Sequence, residues 1–223
     1  MSQRGGGVKT ERKVTGNIFF DEKAAEILCK FLIDKIIPYD LCEPYTACDR
    51  RVLDACCGDG ALGNHLWDCG NVDYVDINPM SKVSDYKLNL IDILEWKPKY
   101  KYDLIICNPP WSPVEKAEAI YHHLLTILKS WGYLIFIINY AFINTNWQRG
   151  ERLGRGKTIF LPRYTFAKSL KKFNPESSGL LDPVVMINRR NKNDAPFFCN
   201  IPPEICKTKQ LVLSQYNYTI IWR

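Results

Sequence analysis

Hydrophobic and polar positions along the chain follow two rhythms. In residues 21–37, DEKAAEILCKFLIDKII, the apolar residues Ala24, Ile27, Leu28, Phe31 and Leu32 recur at helical spacing. That spacing predicts an amphipathic helix with Asp21 as N-cap and Pro38 as its stop. Strand-length apolar runs follow: Val52-Leu53-Asp54-Ala55, VDYVDI at 72–77, a run from Leu88 to Ile91, and Leu104-Ile105-Ile106-Cys107 at the end of 103–107. Between the first two runs, Ala61, Leu62, Leu66 and Trp67 predict a helix reaching Gly70. A long helix is predicted from Val114 to Trp131 through Ile120, Leu124, Leu125, Ile127 and Leu128, and the strand YLIFIIN follows at 133–139. Strands and helices alternating across short links predict an α/β chain, a doubly wound parallel sheet with helices on both faces.

The pattern breaks at 141–181. A segment of that length without clear periodicity is too long for a plain connector, which marks it as functional. A strand returns at Pro183-Val184-Val185-Met186-Ile187, and the apolar runs at 210–213 and 219–222 predict a terminal strand pair, one of them antiparallel. Residues 1–14, Gly-rich and basic, read as a flexible tail able to touch a polyanion. Residues 15–223 then form a single domain, with 141–181 as a basic substrate-binding insertion. No internal repeat is present.

Composition narrows the class. At 46% hydrophobic and 24% charged, the 223 residues match a globular protein with a sizeable core. No apolar run approaches the roughly 20 residues of a membrane span, and MSQRGGG lacks an apolar stretch of the signal-peptide type. The expected location is intracellular, cytoplasmic or nuclear, with no membrane partner. Nine cysteines, an odd number without a secretory signal, read as reduced thiols. Cys29, Cys107 and Cys199 sit in apolar surroundings and are expected in the core. Cys42, Cys48, Cys56 and Cys57 lack paired C-x2-C knuckles, so no metal is expected.

The net charge of +6 is unevenly spread: from Arg149 to Lys172 there are eight basic residues against one acid, Glu151. Phe160, Tyr164 and Phe166 are interleaved with them. Cations mixed with aromatics suit a phosphate backbone and unstacked bases, which makes Arg149, Arg152, Arg155, Lys157 and Arg163 candidate nucleic-acid contacts.

Candidate chemistry gathers at the ends of the predicted strands. In VLDACCGDGALG, glycines at 58 and 60 let a turn approach a ligand closely. Gly58, Gly60 and Gly63 also satisfy the dinucleotide spacing G-x-G-x-x-G, so the loop alone is ambiguous. Asp54 before the loop and Asp59 within it would oppose a pyrophosphate and suit a cationic amino group. Asp76, ending the next strand, can accept from ribose hydroxyls. Asp92, after the third strand, can accept from the exocyclic amine of an adenine. A ligand with an amino-acid end, a ribose and an adenine is S-adenosyl-L-methionine. The fourth strand ends in Asn108-Pro109-Pro110-Trp111. Two prolines remove two backbone donors and fix two φ angles, leaving the Asn108 side-chain carbonyl and the Pro109 backbone carbonyl as acceptors for one amine. Trp111 offers a ring on which the base bearing that amine could stack.

In this order, VLDACCGDG, Asp76, Asp92 and NPPW resemble the motifs of class I S-adenosylmethionine-dependent methyltransferases, and the tetrad is similar to that of N6-adenine methyltransferases. The resemblance covers about residues 15–140. It implies a Rossmann-like class I methyltransferase fold, a mostly parallel seven-stranded sheet with an antiparallel C-terminal strand. It implies that Phe20, within Gly16-Asn17-Ile18-Phe19-Phe20, together with Asp54, Ala55, Cys56, Gly58 and Gly60, lies along the methionine and ribose region. Asp76 and Ile77 would serve the ribose, Asp92 and Ile93 the adenine, with Asn108 at the junction of cofactor and substrate. Asn108, Pro109, Pro110 and Trp111 would hold the target base, in DNA by preference and otherwise in RNA. A separate target-recognition domain, present in larger restriction-type members, is not expected here. Protein glutamine methyltransferases carry a similar tetrad usually ending in tyrosine, and a catalytically silent nucleic-acid-binding subunit would share the fold. A homodimer or partner subunit is left undetermined.

Overall fold

The computed structural model describes residues 22–37, 49–77, 88–140, 157–161, 183–190 and 197–200. Its centre is a sheet in the order β3-β2-β1-β4-β5-β7-β6-β8. The strands are β1 (Arg51–Ala55), β2 (Asn71–Asp76), β3 (Leu88–Leu90), β4 (Tyr102–Cys107), β5 (Leu128–Asn139), β6 (Lys157–Phe160), β7 (Pro183–Arg189) and β8 (Phe197–Asn200). Strands β1 to β5 pair in parallel, β7 runs antiparallel to both β5 and β6, and β8 pairs in parallel with β6. Strands β1 to β7 satisfy the seven-stranded, mostly parallel expectation, and β8 extends the edge. The chain steps outward from β1 to β3 and then crosses back to β4, so the strand order reverses between β1 and β4. Ligands of such sheets bind beside that reversal, outside the carboxyl ends of the strands.

Near-continuous apolar strands are buried on both faces. Alternate residues sort them: Val52, Leu104, Ile106, Ile135, Ile137 and Val185 face one core, and Leu53, Ile105, Cys107, Leu134, Phe136 and Met186 face the other. Helix α1 (Glu22–Lys35) covers the first with Ala25, Leu28, Phe31 and Leu32, and α2 (Val114–Ile127) covers the second with Ala117, Ile120, Tyr121 and Leu124. Each such side chain fully buried contributes about 1.5–3 kcal/mol. Cys29 and Cys107 are buried free thiols, as expected. No described helix is long and apolar enough to cross a membrane.

Three expectations are corrected. The helix expected through Ala61 to Gly70 is two short 3-10 turns, Gly63–His65 and Trp67–Cys69. Their bonds are His65 N to Leu62 O, Leu66 N to Gly63 O and Cys69 N to Leu66 O. Glycines at 60, 63 and 70 oppose an α-helical nucleus in so short a span, and the Gly63 amide is taken by a side chain instead. The helix expected to reach Trp131 ends at Ile127, because Leu128 turns extended and pairs with Tyr102. Trp131 then adopts φ 65°, and a Cβ at Gly132 would come within 3.0 Å of Asp103 O. Lastly, 141–181 is not irregular throughout: Lys157–Phe160 forms β6 with Thr158 and Ile159 buried. A four-residue run between basic residues carries too little periodicity to be read as a strand. The tail 1–14, the rest of the insertion, and the terminal runs at 210–213 and 219–222 lie outside the described residues.

Candidate active site

At the carboxyl ends of β1 to β4 lies a cleft of about 250 Å³. The loop after β1 forms one wall. Cys56, Gly58 and Gly60 take φ of 54°, 56° and 81°, the left-handed region that costs glycine little and a cysteine more. This curls the chain so that the Gly58 amide donates to Asp76 Oδ2 at 2.8 Å, tying the loop to the end of β2. Asp92, after β3, accepts from the Leu94 amide at 3.0 Å and from Lys116 Nζ at 2.9 Å. Burial opposes ionisation of Asp92, but the Leu94 amide and the Lys116 ammonium outweigh it and hold the carboxyl below its ordinary value. Apolar surface comes from Val75, Ile77, Ile91 and Ile93, and the remaining wall from Asn108, Pro109, Pro110 and Ser112.

The structure therefore brings together Cys56, Gly58, Asp76, Ile77, Asp92, Ile93, Asn108, Pro109 and Pro110 in one cleft. Four expected residues do not line it. Ala55 is fully buried in the core, and Gly60 contributes its turn rather than a wall. Trp111 is partly buried, packs against both cores and does not line the cleft. Asp54, expected beside the ligand's amino group, lies 0% exposed beneath the loop and accepts from the Gly63 amide at 2.7 Å. Phe20, Arg149, Arg152, Arg155 and Arg163 lie outside the described residues, and Lys157 is placed only as the first residue of β6.

Burial pushes the Asp54 carboxyl up to about 8; the Gly63 amide pulls against this, while the charges of Asp76 and Asp59 add to it. A carboxyl whose folded value is raised stabilises the fold fully below its unfolded value near 3.8, and that stabilisation is lost as pH rises through about 8. Thermal stability is thus expected to fall between pH 5 and pH 8 more steeply in the wild-type protein than in Asp54→Asn. Melting temperatures across that window check it; parallel curves would rule out this role for Asp54.

Lys116 is a cleft residue that sequence reasoning missed. A cation in the first turn of a helix opposes the helix dipole, and such a position is a signal of a local acid, here Asp92. Ser112, Leu62 and Ile120 also enter the lining through tertiary proximity alone.

No protein-family model matches the chain. A malonyl-[acyl-carrier protein] O-methyltransferase of Ilyobacter polytropus is 30% identical over 98 residues, covering 39% of this chain and 38% of that protein. The chain thus matches well under half the length of that relative. A Listeria monocytogenes protein assigned to the class I S-adenosylmethionine-dependent methyltransferases superimposes with a TM-score of 0.56 at 15% identity, over 84% of this chain and 68% of its own. The 23S rRNA methyltransferase ErmE gives 0.51 at 16% identity, over 79% and 71%. The chain has the Rossmann-like class I methyltransferase fold.

Proposed function

We propose that this protein transfers a methyl group from S-adenosyl-L-methionine to the N6 amine of adenine in nucleic acid, with DNA as the favoured polymer. The carrying observation is that Asn108, Pro109 and Pro110 line the same cleft as Gly58, Asp76 and Asp92. The residues present fit the cofactor: a left-handed loop for close backbone approach, a carboxylate fixed by Gly58 for ribose hydroxyls, and Ile77 and Ile93 as apolar walls for a purine. Asp92 keeps lone pairs for an adenine amine, since each carboxylate oxygen accepts more than once.

When bound, S-adenosyl-L-methionine supplies an electrophilic methyl on a sulfonium. The chain's part is to hold the attacking amine. The Asn108 side-chain carbonyl and the Pro109 backbone carbonyl accept its two hydrogens, draw its lone pair out of conjugation with the ring, and aim it at the methyl. No strong base is needed, because the amine gives up a proton during or after transfer. Catalysis comes from positioning and electrostatics. A target in a duplex must be rotated out at a cost of a few kcal/mol. The basic segment from Arg149 to Lys172 would hold the backbone meanwhile.

A carboxylate acceptor, as the name of the Ilyobacter relative indicates for that protein, fits this cleft poorly. It has no hydrogens to give two carbonyls, whose dipoles would repel it. The test is methyl transfer from labelled cofactor to DNA, RNA and protein pools followed by nucleoside and amino-acid analysis. N6-methyladenine in DNA is expected; its appearance in RNA alone selects the RNA alternative, and methylglutamine alone selects the protein one. Asp92→Asn, which loses a charged acceptor, is expected to weaken cofactor binding by roughly tenfold or more. Calorimetric titration checks it, and unchanged affinity would remove Asp92 from the cofactor site.

A further inference from the structure

The edge of the sheet opposite the cleft carries a chemistry that methyl transfer does not use. Strands β1, β4 and β5 begin there and the antiparallel β7 ends there, side by side over about 15 Å. Basic residues crowd this edge: Arg50 and Arg51 at β1, Lys97, Lys99 and Lys101 before β4. Lys129 near the start of β5 and Arg189 and Arg190 at the end of β7 complete it. Acids on the same segments and in the adjoining hollow are fewer, Asp49, Asp68, Asp73, Glu95 and Asp103; Asp103 is already engaged by Lys129 at 2.8 Å and by the Arg51 amide at 2.9 Å, and Asp73 accepts from the Tyr102 hydroxyl at 3.0 Å.

Exposed rings accompany the cations. Of the exposed large apolar residues described, Ile77 and Leu90 sit at the cleft end, whereas the aromatic ones, Trp67, Tyr100 and Trp131, sit at this opposite edge. Tyr100 is 47% and Trp131 54% exposed. The Arg51 guanidinium lies 3.9 Å from the Tyr100 ring centroid, and that of Arg189 lies 5.4 Å from Trp131 and 5.0 Å from Tyr133. Arg189 Nε also donates to Trp131 O at 3.1 Å, and the Arg190 side chain donates to Leu128 O, so these cations are held in place by the backbone. Beside Tyr100 is a second hollow of about 250 Å³ lined by Asp73, Asn89, Trp96, Lys99 and Tyr102.

An apolar protein partner would have to desolvate this many cations, which is costly. A polyanion with flat faces meets both features at once: phosphates pair with the cations and unpaired bases stack on the rings. We infer that this edge is a second nucleic-acid-binding surface, which holds a single-stranded stretch by bases on Tyr100 and Trp131 and by phosphates on Lys97, Lys99, Lys101 and Arg189. It lies about 20 Å from the cleft, the length of the six-residue β4. Substrate flanking the target can therefore be anchored on the far side of the sheet. The second surface does not depend on which amine the cleft methylates.

The test is fluorescence anisotropy of a labelled mixed-sequence single strand, titrated without cofactor over a range of potassium chloride. The triple variant Lys97→Glu, Lys99→Glu, Lys101→Glu is expected to bind at least tenfold more weakly. Its plot of log affinity against log salt should flatten by about 2, at roughly 0.7 for each phosphate of a single strand that the protein no longer neutralises. Tyr100→Ala with Trp131→Ala is expected to weaken binding about tenfold or more with the salt slope unchanged. Wild-type melting temperature and cofactor affinity in both sets show that the fold and cleft are intact. Wild-type strand affinity in those variants overturns the inference, as does a wild-type protein that binds polyglutamate as tightly as the oligonucleotide. Failure of methyl transfer to nucleic acid leaves the result standing, because no transfer is measured.

Discussion

Asn108→Ala is expected to lower methyl transfer by about 10²–10³-fold, the usual cost of deleting one preorganised polar group aimed at charge that develops in a transition state. The loss should fall on kcat and kcat/KM together, because the side-chain carbonyl acts on the amine as it becomes positive. Cofactor affinity should change far less, since the loop from Cys56 to Gly60 and the carboxylates of Asp76 and Asp92 remain. Single-turnover transfer with saturating cofactor measures the first effect and calorimetric titration the second. Asn108→Asp is the informative companion. A carboxylate would bind the developing cation but would also lock the amine by charge, and its activity should rise with pH as the new acid ionises. A rate within threefold of wild type in Asn108→Ala would refute amine positioning at the end of β4.

Gly63→Ala is expected to cost several kcal/mol of stability, a large effect for so small a change. An added Cβ would stand 2.4 Å from Tyr74 Cε1 and 2.8 Å from Asp54 Oδ2. Tyr74 is fully buried and its hydroxyl donates to Asn64 at 3.0 Å, so the ring has nowhere to go. The chain must move away from β1 and β2, and the bond from the Gly63 amide to Asp54 is broken with it. Overpacking of about 1–3 kcal/mol plus an abandoned buried acceptor of about 1–3 kcal/mol predicts a loss near 3–4 kcal/mol. At this size that lowers the melting temperature by roughly 6–16 °C. A calorimetric scan decides it, and a shift below 2 °C would mean that the loop relaxes freely. The result also separates two roles for the third glycine of the loop. A ligand contact would cost affinity and spare stability, whereas close packing costs stability first.

The core strands and the cleft loop were legible for one physical reason: each is specified by residues close together in sequence. Apolar runs of Val, Leu and Ile between turn residues fix β1, β2, β4 and β5, and the alternation of covered faces follows from the period of two. Gly58, Asp76, Asp92 and Asn108 were legible as a set because a parallel sheet places every strand's carboxyl end at one edge, so position along the chain converts to position in space.

Asp54 and Trp111 show where that conversion stops. Both sit at strand ends and both were expected to touch ligand, yet Asp54 points under the loop and Trp111 packs between two cores. The direction of a side chain at a strand end depends on the path of the loop that follows it. At Asp54 that path is set by a glycine nine residues later. The turns at Gly63–His65 and Trp67–Cys69 likewise replaced a helix whose apolar spacing was genuine, because Tyr74 and Asp54 closed on Gly63.

By itself the sequence determined the core strands, the fold class and most of the strand-end residues that gather around the cleft, since local periodicity and the shared carboxyl edge of a parallel sheet carry that information. Only the tertiary structure decided that Lys116 pairs with Asp92, that Asp54 is a buried support, that Lys157–Phe160 joins the sheet, and that Arg51, Tyr100, Trp131 and Arg189 share one surface. Each of those is a contact between segments distant along the chain, and no local pattern encodes which of them the sheet order will bring together.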